Sequence, residues 1–135
     1  VTLVTKPLIA TESRSNNTQQ NYKHMGPFLQ VGGTWQINQD NSHNVAIEVQ
    51  QEEDRLSAVA FHSGHVKSIE ATGSVRGPHF EMTITWDDGS KGFYEGDFQP
   101  GPNPFFGSLR GHTKDLNHPG SEANWESGGI VFHFA

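Results

Sequence analysis

From Phe80 to Trp86 every second residue is apolar: Phe80, Met82, Ile84 and Trp86, with Glu81, Thr83 and Thr85 between them. That is the period of a strand with one buried face. Asp87-Asp88-Gly89-Ser90 follows as a reversal, because glycine accepts the positive φ of a tight turn. The return strand places Tyr94 and Phe98 on one parity, with Gly92 and Gly96 between them. Setting Gly92 opposite Trp86 leaves room for the indole and predicts a five-residue loop or a bulged turn. A two-residue turn would instead bury Lys91 and Glu95, which is costly. The hairpin is therefore expected to bury Phe80, Met82, Ile84, Trp86, Tyr94 and Phe98, and to turn Glu81, Thr83, Thr85 and Glu95 outward.

The same period recurs along the chain. Leu29, Val31, Gly33, Trp35 and Ile37 share one parity, and Val45, Ile47 and Val49 alternate with Ala46, Glu48 and Gln50. Leu56–His62 reads as a strand, Ile69, Ala71, Gly73 and Val75 as the next, and Phe105–His112 resumes the sheet after the hairpin. Glu122–Glu126 and Ile130–Phe134 make the last pair. Gln51-Glu52-Glu53-Asp54 is an acidic connector, and Lys114–Ser121 a polar loop. About eight strands at spacings of about 8–12 residues predict an all-β, antiparallel up-and-down barrel, with an antiparallel sandwich as runner-up. A barrel of about eight strands either fills its interior or holds one small ligand. The barrel is assigned to residues 25–135. Residues 1–24 form an N-terminal arm and polar linker, in which Thr2–Ile9 is β-prone but broken by Pro7.

Composition narrows the class. Fifteen Gly and seven Pro in 135 residues suit short strands joined by turns. A net charge of −6, with nine scattered Lys and Arg, argues against a nucleic-acid partner. No run approaches the roughly 20 apolar residues of a membrane helix, so no membrane partner is expected. The absence of cysteine excludes a disulfide framework and thiol catalysis. The chain starts at Val1 rather than Met. That fits removal of a leader or of a tag. A secreted or extracellular location is expected.

Eight histidines raise the question of a metal. His62-Ser63-Gly64-His65 brings two across a turn, but a zinc site needs three or four supported ligands. His79, His112, His118 and His133 would have to arrive from other strands, and no metal and no cofactor are assigned. No nucleophile elbow, P-loop or dinucleotide fingerprint occurs. Glu81 and Glu95 could act as acid and base only inside a pocket, and their parity points outward. The chain is thus expected not to be an enzyme. Aromatic faces bind sugar rings and flat molecules when they are not barrel core. Trp125, Tyr94, Trp86 and Phe106, with Asn124 and His62, are the candidate ligand-binding residues.

At Gly33-Thr34-Trp35 the chain resembles the avidin and streptavidin family of calycin-type barrels, whose first strand opens with Gly-x-Trp. Leu56-Ser57-Ala58, Thr83-Ile84-Thr85-Trp86, Phe93-Tyr94-Glu95-Gly96 and Glu122-Ala123-Asn124-Trp125 are similar to later segments of that family. The resemblance implies a ligand-binding barrel, yet the positions that hold biotin depart from it. The residue two after Trp35 is Ile37, the third-strand Tyr and Ser fall on Ala60 or Phe61 and on His62, and the acidic position on the last strand falls near Val131 to His133. Unpaired buried polar groups cost about 1–3 kcal/mol each, so biotin is not the expected ligand. Gly32–Ile37 followed by Asn44–Val49 also resembles a repeat of the mannan-binding agglutinins of cyanobacteria and myxobacteria, with no second copy in this chain. The expectation is a non-catalytic, lectin-like module for a carbohydrate or small organic ligand. The alternative is an assembly subunit, a homo-oligomer formed through residues 1–24, whose arm packs as a donated strand on a neighbour.

Overall fold

The computed structural model describes residues 28–62, 66–129 and 131–135, with the backbone alone for Val66. The arm and linker assigned to residues 1–24, His65 and Ile130 lie outside the described residues. Among the described residues there are ten strands: β1 (Leu29–Gln30), β2 (Gly33–Gln39), β3 (Val45–Glu52), β4 (Arg55–His62), β5 (Val66–Arg76), β6 (His79–Trp86), β7 (Lys91–Pro100), β8 (Phe106–Asp115), β9 (Glu122–Glu126) and β10 (Phe132–Phe134). From β2 to β9 each strand pairs antiparallel with the next, and β9 pairs back onto β2, closing an eight-stranded up-and-down barrel.

The remaining two strands continue the first and last staves. β1 runs into β2 across Val31-Gly32, and β9 into β10 across residues 127–131. Both β9 and β10 lie against β8, so Glu122–Glu126 and residues 132–134 are one interrupted strand rather than a pair. Gly111 faces Trp125 and Gly107 faces Phe132, so a span of four on β8 meets a span of seven opposite it (111−107 against 132−125). The three extra residues are accommodated at Ser127, which closes the ladder with its side chain. Its N–H donates to the Leu109 carbonyl, and its Oγ accepts from the Leu109 N–H, both at 2.9 Å. β10 pairs with β1, and beyond them Phe28 and Ala135 exchange backbone hydrogen bonds of 3.3 and 2.9 Å.

The β6–β7 hairpin buries the face expected of it: Phe80, Met82, Ile84, Trp86, Tyr94 and Phe98 are each at most 7% exposed. Its register differs. Gly92 stands opposite Ile84 and Gly96 opposite Phe80, not opposite Trp86 and Met82. The Trp86 carbonyl accepts from Gly89 and the Trp86 N–H donates to Ser90, giving a three-residue loop with Gly89 at φ 89°. A turn followed by a left-handed glycine is the standard three-residue hairpin with a bulge. It keeps the buried parity while shortening the loop by two residues. Glu81, Thr83, Thr85 and Glu95 lie on the outer face, half-buried by their neighbours.

One expected core residue is on the outside. Ser68 pairs with Trp86 and Glu70 with Thr85, so Ile69 is an extra residue in β5. The bulge reverses the parity, leaving Ile69 68% exposed and Ser68 buried. Buried Ser68 is satisfied because its Oγ accepts from the Ala60 N–H at 2.9 Å.

The interior is filled, not hollow. Trp35 packs edge-on to Phe80 and Phe132 and stacks on Trp125, whose ring also meets Phe80 edge-on. Leu29, Val31, Phe98 and Phe134 occupy the end where β1 and β10 meet, with the Phe98 and Phe134 rings perpendicular at 5.4 Å. Aromatic side chains thus close one end and the middle of the barrel, and the space that remains lies at the other end.

Candidate functional site

The open mouth is a cavity of about 370 Å³ between the C-terminal ends of β2, β4, β6 and β8 and the N-terminal ends of β7 and β9. Its volume falls within the range of about 300–1,000 Å³ typical of small-molecule pockets. Trp86 and Tyr94 sit at its base, and Gln39, His43, His62, Ser90, Thr113, Asp115 and Ser121 surround them. Alternation carries the apolar interior of each strand one step further to a polar inward residue. Ile37 is followed by Gln39, Ala60 by His62, and Leu109 by Thr113 and Asp115 two positions apart.

Tyr94 is the most enclosed polar group of the mouth, 4% exposed. Its hydroxyl lies 3.5 Å from Gln39 Oε1. Burial pushes its pKa up to about 12, against the opposing hydrogen bond to Thr113, and the charge on Asp115 adds to the rise. The phenol therefore stays protonated throughout the neutral range. His62 stacks on His43 with ring centroids 5.3 Å apart and meets Trp86 edge-on at 5.8 Å. Burial, then the neighbouring His43, hold the His62 pKa below its usual value, and Asp88 offsets only part of this. Near neutral pH His62 is an uncharged imidazole.

The far wall is a tightly tied loop. Asp115 accepts from the Asn117 N–H at 2.8 Å and from His118 Nδ1 at 2.9 Å, and its own N–H donates to the Ser121 carbonyl. Burial alone would raise the Asp115 pKa, but these hydrogen bonds outweigh it and hold the carboxyl below its ordinary value. Asn117 Oδ1 accepts from the Lys91 N–H at 2.7 Å, and the Leu116 N–H donates to the Lys91 carbonyl, which fastens the loop to the start of β7. The wall is thus set before any ligand arrives.

Of the aromatic and polar residues singled out in the sequence, the structure brings together Trp86, Tyr94 and His62. Trp125 is not with them. It is 2% exposed among Trp35, Phe80 and Gly96, and its indole N–H donates to the His112 carbonyl at 3.1 Å. Asn124 faces outward, 3.1 Å from His112 Nδ1, and Phe106 lies at the opposite end of the barrel beside His133. Glu81 and Glu95 are direct cross-strand partners on the outer face, away from the cavity. Among the described residues no group of three or more His, Asp or Glu is placed to hold a metal ion.

No family model, curated protein or solved structure matches this chain. Its geometry therefore carries the functional argument alone. Gln39, His43, Thr113, Asp115 and Ser121 were missed in the sequence because they belong to no motif. The signal that could have found Gln39, Thr113 and Asp115 is parity, since inward-facing polar residues at the end of an otherwise apolar alternation mark a wet barrel mouth; His43 and Ser121 lie outside the strands and carry no such signal.

Proposed function

We propose that this chain is a non-catalytic binding module that takes a carbohydrate or another small organic ligand, not biotin, in the open mouth of its barrel. The observation that carries this reading is the asymmetry of the interior. Aromatic packing fills the middle and one end, whereas the other end leaves about 370 Å³ over Trp86 and Tyr94, walled by side chains able to hydrogen-bond. A packed barrel with no ligand would gain by carrying apolar side chains to the end of each strand. Gln39, His62, Thr113 and Asp115 stand where those side chains would be. The test is a glycan array together with a small-molecule panel, read by the fluorescence of Trp86 and by calorimetry. Saturable binding that is weakened in Gln39→Ala or Tyr94→Phe supports the site. No saturable ligand in either collection overturns it.

A second reading, an assembly subunit, draws on the closure of the barrel. The β2–β9 ladder comprises two residue pairs, Gln39 with Trp125 and Asn38 with Glu126, which makes it the seam most open to a donated strand. Solution mass with and without residues 1–24 tests it. Equal masses exclude assembly through that segment.

A further inference from the structure

Strand parity decides which charged side chains a ligand in the mouth would meet. Lys91, Lys114 and Glu122 lie at the rim but on the outward parity, since Gly92, Thr113 and Ala123 are their buried neighbours. The Lys114 ammonium rests 5.9 Å from the centre of the outer Phe93 ring, and Glu122 Oε1 lies 2.6 Å from His112 Nε2 on the outside of the barrel. Asp115 takes the inward parity of Leu109 and Thr113, and Asp88 stands at the hairpin tip over the same rim. Asp88 Oδ1 is occupied by Ser90, accepting from its N–H at 2.9 Å and its Oγ at 2.7 Å. Both Asp115 oxygens also accept, from the Asn117 N–H and from His118 Nδ1, so what sets Asp115 apart is its inward position on a strand of the cavity wall, where no lysine or arginine lies on an inward parity among the described residues.

The neutral groups of the same wall are compatible with that charge, since their oxygens can accept as well as their hydroxyls can donate. Gln39 Oε1, Tyr94 Oη, Thr113 Oγ1 and Ser121 Oγ are oxygen atoms able to accept a hydrogen bond. An ammonium group carries three donors and no acceptor, and so matches an oxygen-rich wall around one carboxylate. A carboxylate or phosphate ligand would meet Asp115 as a like charge, and the basic group against that carboxylate is the His118 ring at 2.9 Å rather than a lysine or arginine.

We propose that the mouth selects small organic molecules bearing a primary ammonium group, seated against Asp115. This rests on the reading of the mouth as a binding site and names the chemistry of its ligand. An amino sugar and a simple arylalkylamine are both of this class.

The test uses the full chain and three probes of one shape: benzylamine, benzyl alcohol and benzoate, titrated by calorimetry at pH 7.5. Benzylamine is expected to bind at least about tenfold more tightly than benzyl alcohol, with benzoate weakest; tenfold corresponds to about 1.4 kcal/mol. Asp115→Asn should abolish the preference for benzylamine over benzyl alcohol. Because Asp115 also holds its loop, Ser121→Lys is the second variant. Residue 121 is exposed and its carbonyl is bound by the Asp115 N–H, so a lysine there stands beside Asp115 and should pair with it and bring benzoate level with benzylamine. Equal or tighter binding of benzyl alcohol or benzoate to the unmodified protein overturns the ammonium preference and leaves the binding site standing. So does an unchanged preference in both variants. Failure of all three probes to bind also overturns the preference, and the binding reading falls with it only if the glycan and small-molecule panels are empty as well.

Discussion

Trp125 lies flat against the backbone of Gly96, so closely that a Cβ on residue 96 would come within 2.9 Å of the indole Cζ2 and equally close to the Arg110 carbonyl oxygen. The glycine is there because the ring needs its space. Gly96→Ala should destabilise the barrel by about 1–3 kcal/mol, the usual cost of overpacking, and Trp125→Ala by about 3–5 kcal/mol through the cavity it leaves. Chemical denaturation measures both. An alanine at 96 that costs nothing would mean that both the ring and the Arg110 carbonyl give way freely.

Ile84 is fully buried at the centre of the hairpin, with Gly92 opposite it. A glycine partner has no side chain to move into a vacated space. Ile84→Ala should therefore cost about 2–5 kcal/mol in the same measurement.

Biotin should not bind. The positions matching the family's polar contacts are the fully buried apolar Ile37 and Ala60 and the outward, exposed Val131. Calorimetry at micromolar protein should show no saturable heat, and a nanomolar affinity would require a different alignment of strands.

Stability should carry opposite pH signatures from two histidines. His62 has its pKa lowered in the folded barrel, by burial and then by His43. The unfolded chain thus binds more protons, and stability falls as pH drops from about 6.5 through the folded value. His79 has its pKa raised, because hydrogen bonds and charges from Asp97 and Glu81 outweigh a desolvation that alone would lower it. Its stabilisation is complete below about 6.5 and is lost as pH climbs through the folded value. Accordingly, the stability difference between wild type and His62→Gln should shift against wild type on acidification. The difference between wild type and His79→Gln should shift against it on raising pH from 6 to 9.

Much of this barrel is legible in its apolar alternation, and the exceptions share one cause. Phe80, Met82, Ile84 and Trp86 fix a buried face, because a period of two leaves no other. A shift of two residues preserves parity, which is why the buried set was readable while Gly92 was placed opposite Trp86 rather than Ile84. Ile69 shows the converse. A single inserted residue turns it outward, and Ser68 reveals its inward role only once its hydroxyl is seen meeting the Ala60 N–H. At the mouth, Trp86, Tyr94 and His62 are aromatic enough to attract attention, whereas His43 and Ser121, outside the strands, owe their place to three-dimensional convergence. Trp125, a candidate ligand-binding residue between the polar Asn124 and Glu126, is core instead, for in a strand polar neighbours are what a buried residue should have.

The paired backbones of Phe28 and Ala135 govern how this barrel can be mounted. Both strand ends leave through the sealed pole, on the far side of the aromatic filling from Asp115 and Tyr94. A fluorophore, surface tether or fusion partner attached after Ala135 therefore hangs beneath the cup and leaves its rim clear.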